Sequence, residues 1–372
     1  MAEAQHTRFQ RFLLPGFAFK AVVIGGGYAT GRELAEFFLP GGPMGGVLAI
    51  LLTMVVWSVV CALTFSFAYV TRSFDYRGFF QNLLGPFWIG FEIAYLLFIV
   101  LILAVFGAAA GAIGAALFGL PDFVGALALV VVIAAFTAYG NAAVERLFKW
   151  VTIFLYGVYA VFAVLALSKF GDHALANIAA SAPRAGWPLN GLTYAGYNVI
   201  GAVIILPVVR HFTSAKDAVV AGLLSGPLAI WPALVFFICM VAFYPQIGGE
   251  TLPSDFLLRQ LDVPVFHVLF QLMIFSALVE SGAGGVNAFN ERVAGAYRAR
   301  TSKELSHRTR LGIAAVLLVG SVFLAEKIGL VDLIAQGYRA LALAVIVIFV
   351  APLLTLGVWR LARTRGAASQ NA

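Results

Sequence analysis

Residues 17–34 read Phe17-Ala18-Phe19-Lys20-Ala21-Val22-Val23-Ile24-Gly25-Gly26-Gly27-Tyr28-Ala29-Thr30-Gly31-Arg32-Glu33-Leu34. Three consecutive glycines interrupt an apolar run at its middle. Each is about 1 kcal/mol worse than alanine inside a helix. In a bilayer, lipid offers no partner for the N–H and C=O groups that unwinding frees, so irregular backbone survives only where it lines a cavity or a ligand. Close helix packing through glycine is the alternative, but it does not call for Arg32, Glu33 and Glu36 soon afterwards. A half-helix starting near Gly27–Thr30 would aim its positive end at an anionic group such as a carboxylate, while the carbonyls closing the preceding half could hold a cation.

The rest of the chain supplies the bilayer. Of 372 residues, 62% are hydrophobic and 11% charged, against about 45–50% and 25% in soluble domains. Ten apolar segments are each near the roughly 20 residues a spanning helix needs: 17–38, 45–70, 86–112, 122–139, 147–168, 192–209, 217–244, 264–290, 311–326 and 332–358. They are too long and too uniformly apolar for barrel strands. The net charge of +7 does not form a nucleic-acid patch, because the basic residues lie between apolar segments. Only Arg32, Lys169, Arg184, Arg259, Lys327 and Arg339 fall on one side; the other Lys and Arg residues mark the cytoplasmic face, with both termini there. The first apolar run has no cleavage site of the signal-peptide kind. Cys61 and Cys239 lie inside apolar runs and suggest no disulfide framework.

The two sets of five segments share a rhythm. Each opens with an interrupted segment, then a long helix with a cysteine, then a short amphipathic stretch, 77–84 and 254–261. Five is odd, so the second set enters inverted, the plan of many carriers. Segment six, the counterpart of the first, carries Tyr194, Tyr197, Asn198 and Gly201 among small residues. Asn198 would face a ligand or make an interhelical hydrogen bond. Segment eight carries Glu280, Ser281 and Asn287. A carboxylate so deep in an apolar run faces a cavity or a partner, and Glu280 could carry a proton or a structural hydrogen bond. Glu92, near the start of segment three, suits the solvated interface. The five histidines have no metal-ligand spacing, and Gly25–Gly27 lacks the lysine and hydroxyl of a phosphate loop. No clustered nucleophile, base or metal constellation suggests an enzyme.

The motif Gly25-Gly26-Gly27-Tyr28-Ala29-Thr30-Gly31-Arg32-Glu33, followed by Phe37-Phe38, resembles the first helix of the YkvI-like family of bacterial membrane proteins, with Tyr28 for Phe and Thr30 for Ser. Tyr197-Asn198 and Glu280-Ser281-Gly282 resemble later stretches less specifically. That family is similar to the amino acid–polyamine–organocation superfamily. The resemblance implies an all-α integral membrane protein of the LeuT-like type, ten transmembrane helices in a 5+5 inverted repeat with helices 1 and 6 unwound mid-membrane. The implied divisions are 1–168, an external connection 169–191, a second repeat 192–358 and a cytoplasmic tail 359–372. It also implies a substrate site at Gly25, Gly26, Gly27, Tyr28, Thr30, Gly31, Tyr194, Tyr197, Asn198 and Gly201. Ion coupling would involve Glu33, Glu280, Ser281 and Asn287, with Ile24 and Gly27 nearby. The expected function is secondary transport of a small polar, amino acid-like solute in the cytoplasmic (inner) membrane, coupled to H+ or Na+ and using no other cofactor. A non-transporting sensor or complex partner on the same fold is the alternative.

The charge bias makes one direct prediction. A C-terminal fluorescent-protein fusion should fluoresce and a C-terminal alkaline phosphatase fusion should be inactive; the reverse pattern would invert the orientation.

Overall fold

The structure, a computed structural model, describes residues 7–138 and 141–363, except the side chains of residues 138, 141–150, 152 and 299. The side chains of Arg146 and Lys149, and all of Arg365, lie outside the described residues. Every regular element among the described residues is helical. Among the described residues, seven helical stretches are long and apolar enough to cross a membrane: Arg32–Thr71, Tyr76–Phe118, Ile153–Ala179, Ala215–Val241, Pro264–Arg298, His307–Ile328 and Leu330–Arg363. The other expected segments take different forms. The first is cut into α1 (Leu14–Val23), α2 (Gly26–Ala29) and α3 (Arg32–Phe37). The fourth is the shorter α7, described below, and the sixth is divided into α9 and α10.

α4 (Gly42–Thr71) ends at Arg72 in a left-handed conformation, φ 55°. It is followed by α5 (Tyr76–Leu84), whose first turn is capped by Asp75 accepting from the Gly78 amide at 2.8 Å. Then come α6 (Trp88–Phe118), α7 (Asp122–Ala138) and α8 (Asn141–Ala179). α8 continues well beyond 168, so much of the expected 169–191 connection is helix. α9 (Trp187–Asn198) and α10 (Ile200–Ile204) are parted only by Val199, which keeps right-handed helical angles. α11 (Ala215–Val241), α12 (Pro253–Leu261), α13 (Pro264–Thr301) and α14 (His307–Ile328) follow. α15 (Leu330–Arg363) contains wider turns at Leu333–Gly337, Ile346–Val350 and Leu353–Gly357. The two short amphipathic stretches expected at 77–84 and 254–261 are α5 and α12.

Small residues bring the long helices together. A methyl group at Gly222 of α11 would collide with the backbone of Ala62 in α4, and one at Gly226 with the Met54 carbonyl and the Ser58 hydroxyl. Ser58 donates to the Leu223 carbonyl at 2.9 Å. α9 is fixed to α4 in the same way. Thr53 donates to the Gly191 carbonyl at 3.0 Å and the Trp57 indole N–H to the Ala195 carbonyl at 3.3 Å. In an apolar solvent such close backbone approach and interhelical hydrogen bonds replace the hydrophobic effect as cement. Large apolar side chains face outward, Val55, Leu97, Val131, Val164, Val316 and Leu343 among them, as a lipid-facing surface requires. The turn before α1, Phe9–Leu13, is anchored to α11 by Arg11, whose guanidinium reaches Asp217 through two bonds of 2.7 and 2.8 Å.

Gly222→Ala should lower the melting temperature of purified protein, because overpacking of this kind typically costs about 1–3 kcal/mol. Gly157→Ala, at an exposed α8 position with open space around it, should be neutral or slightly stabilising.

Candidate binding site at the broken first helix

The break in the first helix has a defined local structure. α1 closes with the Ile24 amide donating to the Lys20 carbonyl at 2.9 Å. Ile24 then adopts φ −76°, ψ 82°, and the Gly25 amide donates to the Val23 carbonyl at 2.9 Å. This is an inverse γ-turn, a sharp bend that ends the helix and starts the next. A second bend follows at Gly31, φ 78°, a left-handed conformation that favours glycine. A Cβ there would lie 2.5 Å from the Phe236 ring. Thr30 bridges the bends, its hydroxyl donating to the Gly27 carbonyl at 2.9 Å and its carbonyl accepting from the Ser254 amide of α12 at 2.9 Å.

α3 places Glu33 back against this break. A Cβ on Gly27 would collide with Glu33 Oε1, so the absence of a side chain there makes room for the carboxylate. The Tyr28 amide donates to Glu33, and the Tyr197 hydroxyl of α9 donates to Glu33 Oε2 at 2.6 Å, the short distance typical of hydroxyl-to-carboxylate bonds. Glu33 is 4% exposed, and its groups are therefore held by specific partners as a buried carboxylate must be. The half-helix at Gly26–Ala29 was expected to receive an external anion. The chain's own carboxylate lies there instead.

Beside the break is a cavity of about 400 Å³, within the usual range for small-molecule sites. α1 and the γ-turn line it with Ala21 to Gly25, α3 with Glu33, and α9 with Tyr197 and Asn198. α13 contributes Glu280, Ser281, Gly284 and Gly285, and α15 contributes Tyr338. Tyr95, Phe98 and Phe106 of α6 and Tyr156 of α8 complete it.

Of the residues singled out from sequence, Gly25, Tyr197, Asn198, Glu33, Glu280 and Ser281 meet at this cavity. The others do different work. Gly27, Thr30 and Gly31 shape the break. Tyr28 and Tyr194 are buried away from the cavity wall, Tyr194 packed on Phe38 with ring centres 4.7 Å apart. Gly201 lets Phe19 and Val22 of α1 approach, and Asn287 is not on the wall. Gly26 starts α2, and beyond that backbone placement it lies outside the described residues. Asn198 donates to the Tyr194 carbonyl of its own helix at 3.0 Å, rather than to a neighbouring helix.

Sequence reasoning missed Tyr95, Tyr156 and Tyr338, hydroxyl-bearing rings in apolar runs. It also missed two ion networks. Arg32 donates to the Gly248 and Glu250 carbonyls at 3.1 and 2.9 Å and to Glu36 at 3.1 Å, and Arg339 of α15 reaches the other Glu36 oxygen at 2.9 Å. At Tyr95, Arg292 of α13 pairs with Glu92 at 3.0 Å while its guanidinium lies 3.8 and 3.7 Å from the Tyr76 and Tyr95 ring centres. Glu92, expected to be solvated, is thus ion-paired.

No family model and no curated sequence matches the chain. Solved structures do match along nearly its whole length. MhsT in complex with L-phenylalanine is 16% identical with a TM-score of 0.63, covering 94% of this chain and 89% of its own. A Na+-coupled sialic acid symporter in a substrate-bound outward-open state is 14% identical, TM-score 0.62, covering 95% and 82%. A mutant of a manganese transporter of Eremococcus coleocola is 14% identical, TM-score 0.55, covering 95% and 80%. At such identities the likeness is one of fold: the chain is an all-helical, multi-pass membrane protein with the LeuT-like fold.

Proposed function

We propose that the protein is a secondary active transporter for a small polar solute, working by alternating access in the cytoplasmic membrane. The observation that carries this reading is the cavity at the broken first helix, with Glu33 and Tyr197, from two sequence-distant helices, hydrogen-bonded to each other at its wall. In this reading ten helices cross the bilayer as two inverted sets of five. The interrupted α1–α3, the shorter α7 and the divided α9–α10 supply the three spans beyond the seven long ones. The equal lengths of α5 and α12, each following a long helix, support the repeat. Ile24, Glu33, Glu280 and Ser281 line one cavity, which favours a carboxylate-borne proton over Na+ as the coupling ion.

Alternating access needs closures at both ends that can open in turn. The external one in this reading is Arg32–Glu36–Arg339, which ties the first helix to α15. The internal one is Arg292–Glu92 between Tyr76 and Tyr95. Each joins elements by charged groups rather than by a packed apolar seam, and such contacts exchange readily with water.

Counterflow into sealed proteoliposomes, with labelled amino acids and amines as solutes, tests the reading. At least one solute should exchange, and Glu33→Gln should cut its proton-driven uptake at least tenfold. Unchanged uptake in Glu280→Gln would remove Glu280 from coupling. Binding with no exchange of any solute would instead mark a sensor. The external closure has its own test. Cys61 and Cys239 are fully buried, so a single reporter, Asn198→Cys, reads the cavity. Adding Glu36→Gln should raise its labelling by an impermeant external thiol reagent severalfold; an unchanged rate would show that the network does not hold the outer side shut.

A further inference from the structure

We infer that a second cavity, where the ends of α4 and α15 meet α5, holds the phosphate of an anionic phospholipid between Arg360 and Arg363. The inference concerns lipid binding and does not depend on transport.

This cavity measures about 330 Å³, far more than the roughly 30 Å³ of one water molecule. α4 lines it with Phe67, Val70 and Thr71, α5 with Asn82, and α15 with the two arginines. Thr71 is the last residue of α4 and Arg363 the last described residue of α15, so both helices end at this level. Hydroxyls fix the corner between α4 and α5. The Ser73 and Thr71 hydroxyls share a hydrogen bond of 2.8 Å, and the Asn82 side-chain amide donates to Ser73 at 2.9 Å.

Positive charge gathers here without an acidic counterweight. Among the described lining residues there is no Asp or Glu. The sequence has none between Glu36 and Asp75 and none after Asp332. Asp75 itself, at the corner, accepts from the Gly78 amide at 2.8 Å. The guanidinium groups of this region lie against rings instead. Arg363 is 3.8 Å from the Trp359 ring centre, Arg77 4.9 Å from that of Trp88, Arg210 5.6 Å from that of Phe74 and Arg72 5.8 Å from that of Tyr69. Among the described residues none of these four makes an ion pair. Arginine is weakly hydrated and its fork matches phosphate oxygens in pairs, so the cavity is built for a phosphate group.

The surroundings choose the source of that phosphate. Val70, on the cavity wall, is 39% exposed, and Trp359, against Arg363, is 51% exposed. Leu356, one turn earlier in α15, also faces outward. Tryptophan and arginine at the end of a spanning helix mark the headgroup level. The charge bias assigns this face to the cytoplasm, whose leaflet carries anionic lipid, and basic pockets between helices on that side suit such headgroups. A lipid would place its phosphate on the arginines and its chains along the outward apolar surface. A soluble phosphate compound gains the first contact and forgoes the second.

Native mass spectrometry and thermal shift on the delipidated, purified full chain test this with three probes: phosphatidylglycerol, phosphatidylcholine and soluble glycerol phosphate. Phosphatidylglycerol should bind at least about tenfold more tightly than phosphatidylcholine, as two arginines near the headgroup allow, and should raise the melting temperature. Glycerol phosphate should do neither. The pair Arg360→Gln and Arg363→Gln should abolish the preference, whereas Arg300→Gln with Arg308→Gln, which removes equal charge from exposed positions elsewhere on the basic face, should keep it. If the first pair does not fold, Arg363→Gln alone, at an exposed position, should weaken the preference severalfold. Equal binding of the two lipids would overturn the inference, as would an equal loss in both variant pairs or an unchanged preference without the arginines. Glycerol phosphate stabilising the protein as well as the lipid does would assign the cavity to a soluble phosphate and overturn the lipid as occupant.

Discussion

The structure depends on how the chain satisfies the backbone groups that it frees when it breaks its first helix. Inside lipid each freed amide or carbonyl must find a partner within the protein. Here the partners are local and specific. The Gly25 amide closes one turn against Val23, Thr30 covers the Gly27 carbonyl, and Glu33 returns to the Tyr28 amide. Glycine at 27 is what lets the carboxylate come so close. The break is thus a fixed, polar element made from one short stretch of chain.

That element in turn organises its surroundings. Thr30 presents its carbonyl to the first turn of α12, and Gly31 turns the chain beneath Phe236 of α11. Glu33 draws the Tyr197 hydroxyl from α9, and Arg32 and Glu36 reach to the segment before α12 and to α15. Elements far apart in sequence therefore meet around this one stretch. A shift of α3 relative to α9 has to break the Glu33–Tyr197 bond, and a shift relative to α15 has to break the Glu36–Arg339 pair. α3 thus joins the cavity wall to α9 and to α15 through Glu33 and Glu36.

The rest of the bundle provides rigidity. α4 and α11 approach until glycine backbones touch, and α9 is hydrogen-bonded to α4 through Thr53 and Trp57. Close packing of this kind has few alternative arrangements. The interrupted segments are held differently, by hydrogen bonds and ion pairs beside the cavity.

The sequence by itself determined that the chain lives in a bilayer, roughly where its apolar helices run, and that the first is interrupted near its glycines; that Glu33, Glu280, Tyr197 and Asn198 belong near one another was implied by the family resemblance. The bilayer, the helices and the interruption follow from composition, from segment length and from the expense of polar groups in lipid, all of which are local properties. Only the tertiary structure decided what each polar group faces. Tyr28, Tyr194, Gly201 and Asn287 carry the same sequence signal as the cavity residues, yet lie off its wall, because helix rotation and crossing are set by packing against neighbours. The same holds for Tyr95, Tyr156 and Tyr338, which join the site from helices that read as uniformly apolar. The occupant of the helix break was equally hidden. A half-helix start attracts any nearby anion, and whether that anion is a solute or the chain's own Glu33 is settled by how α3 folds back over Gly27.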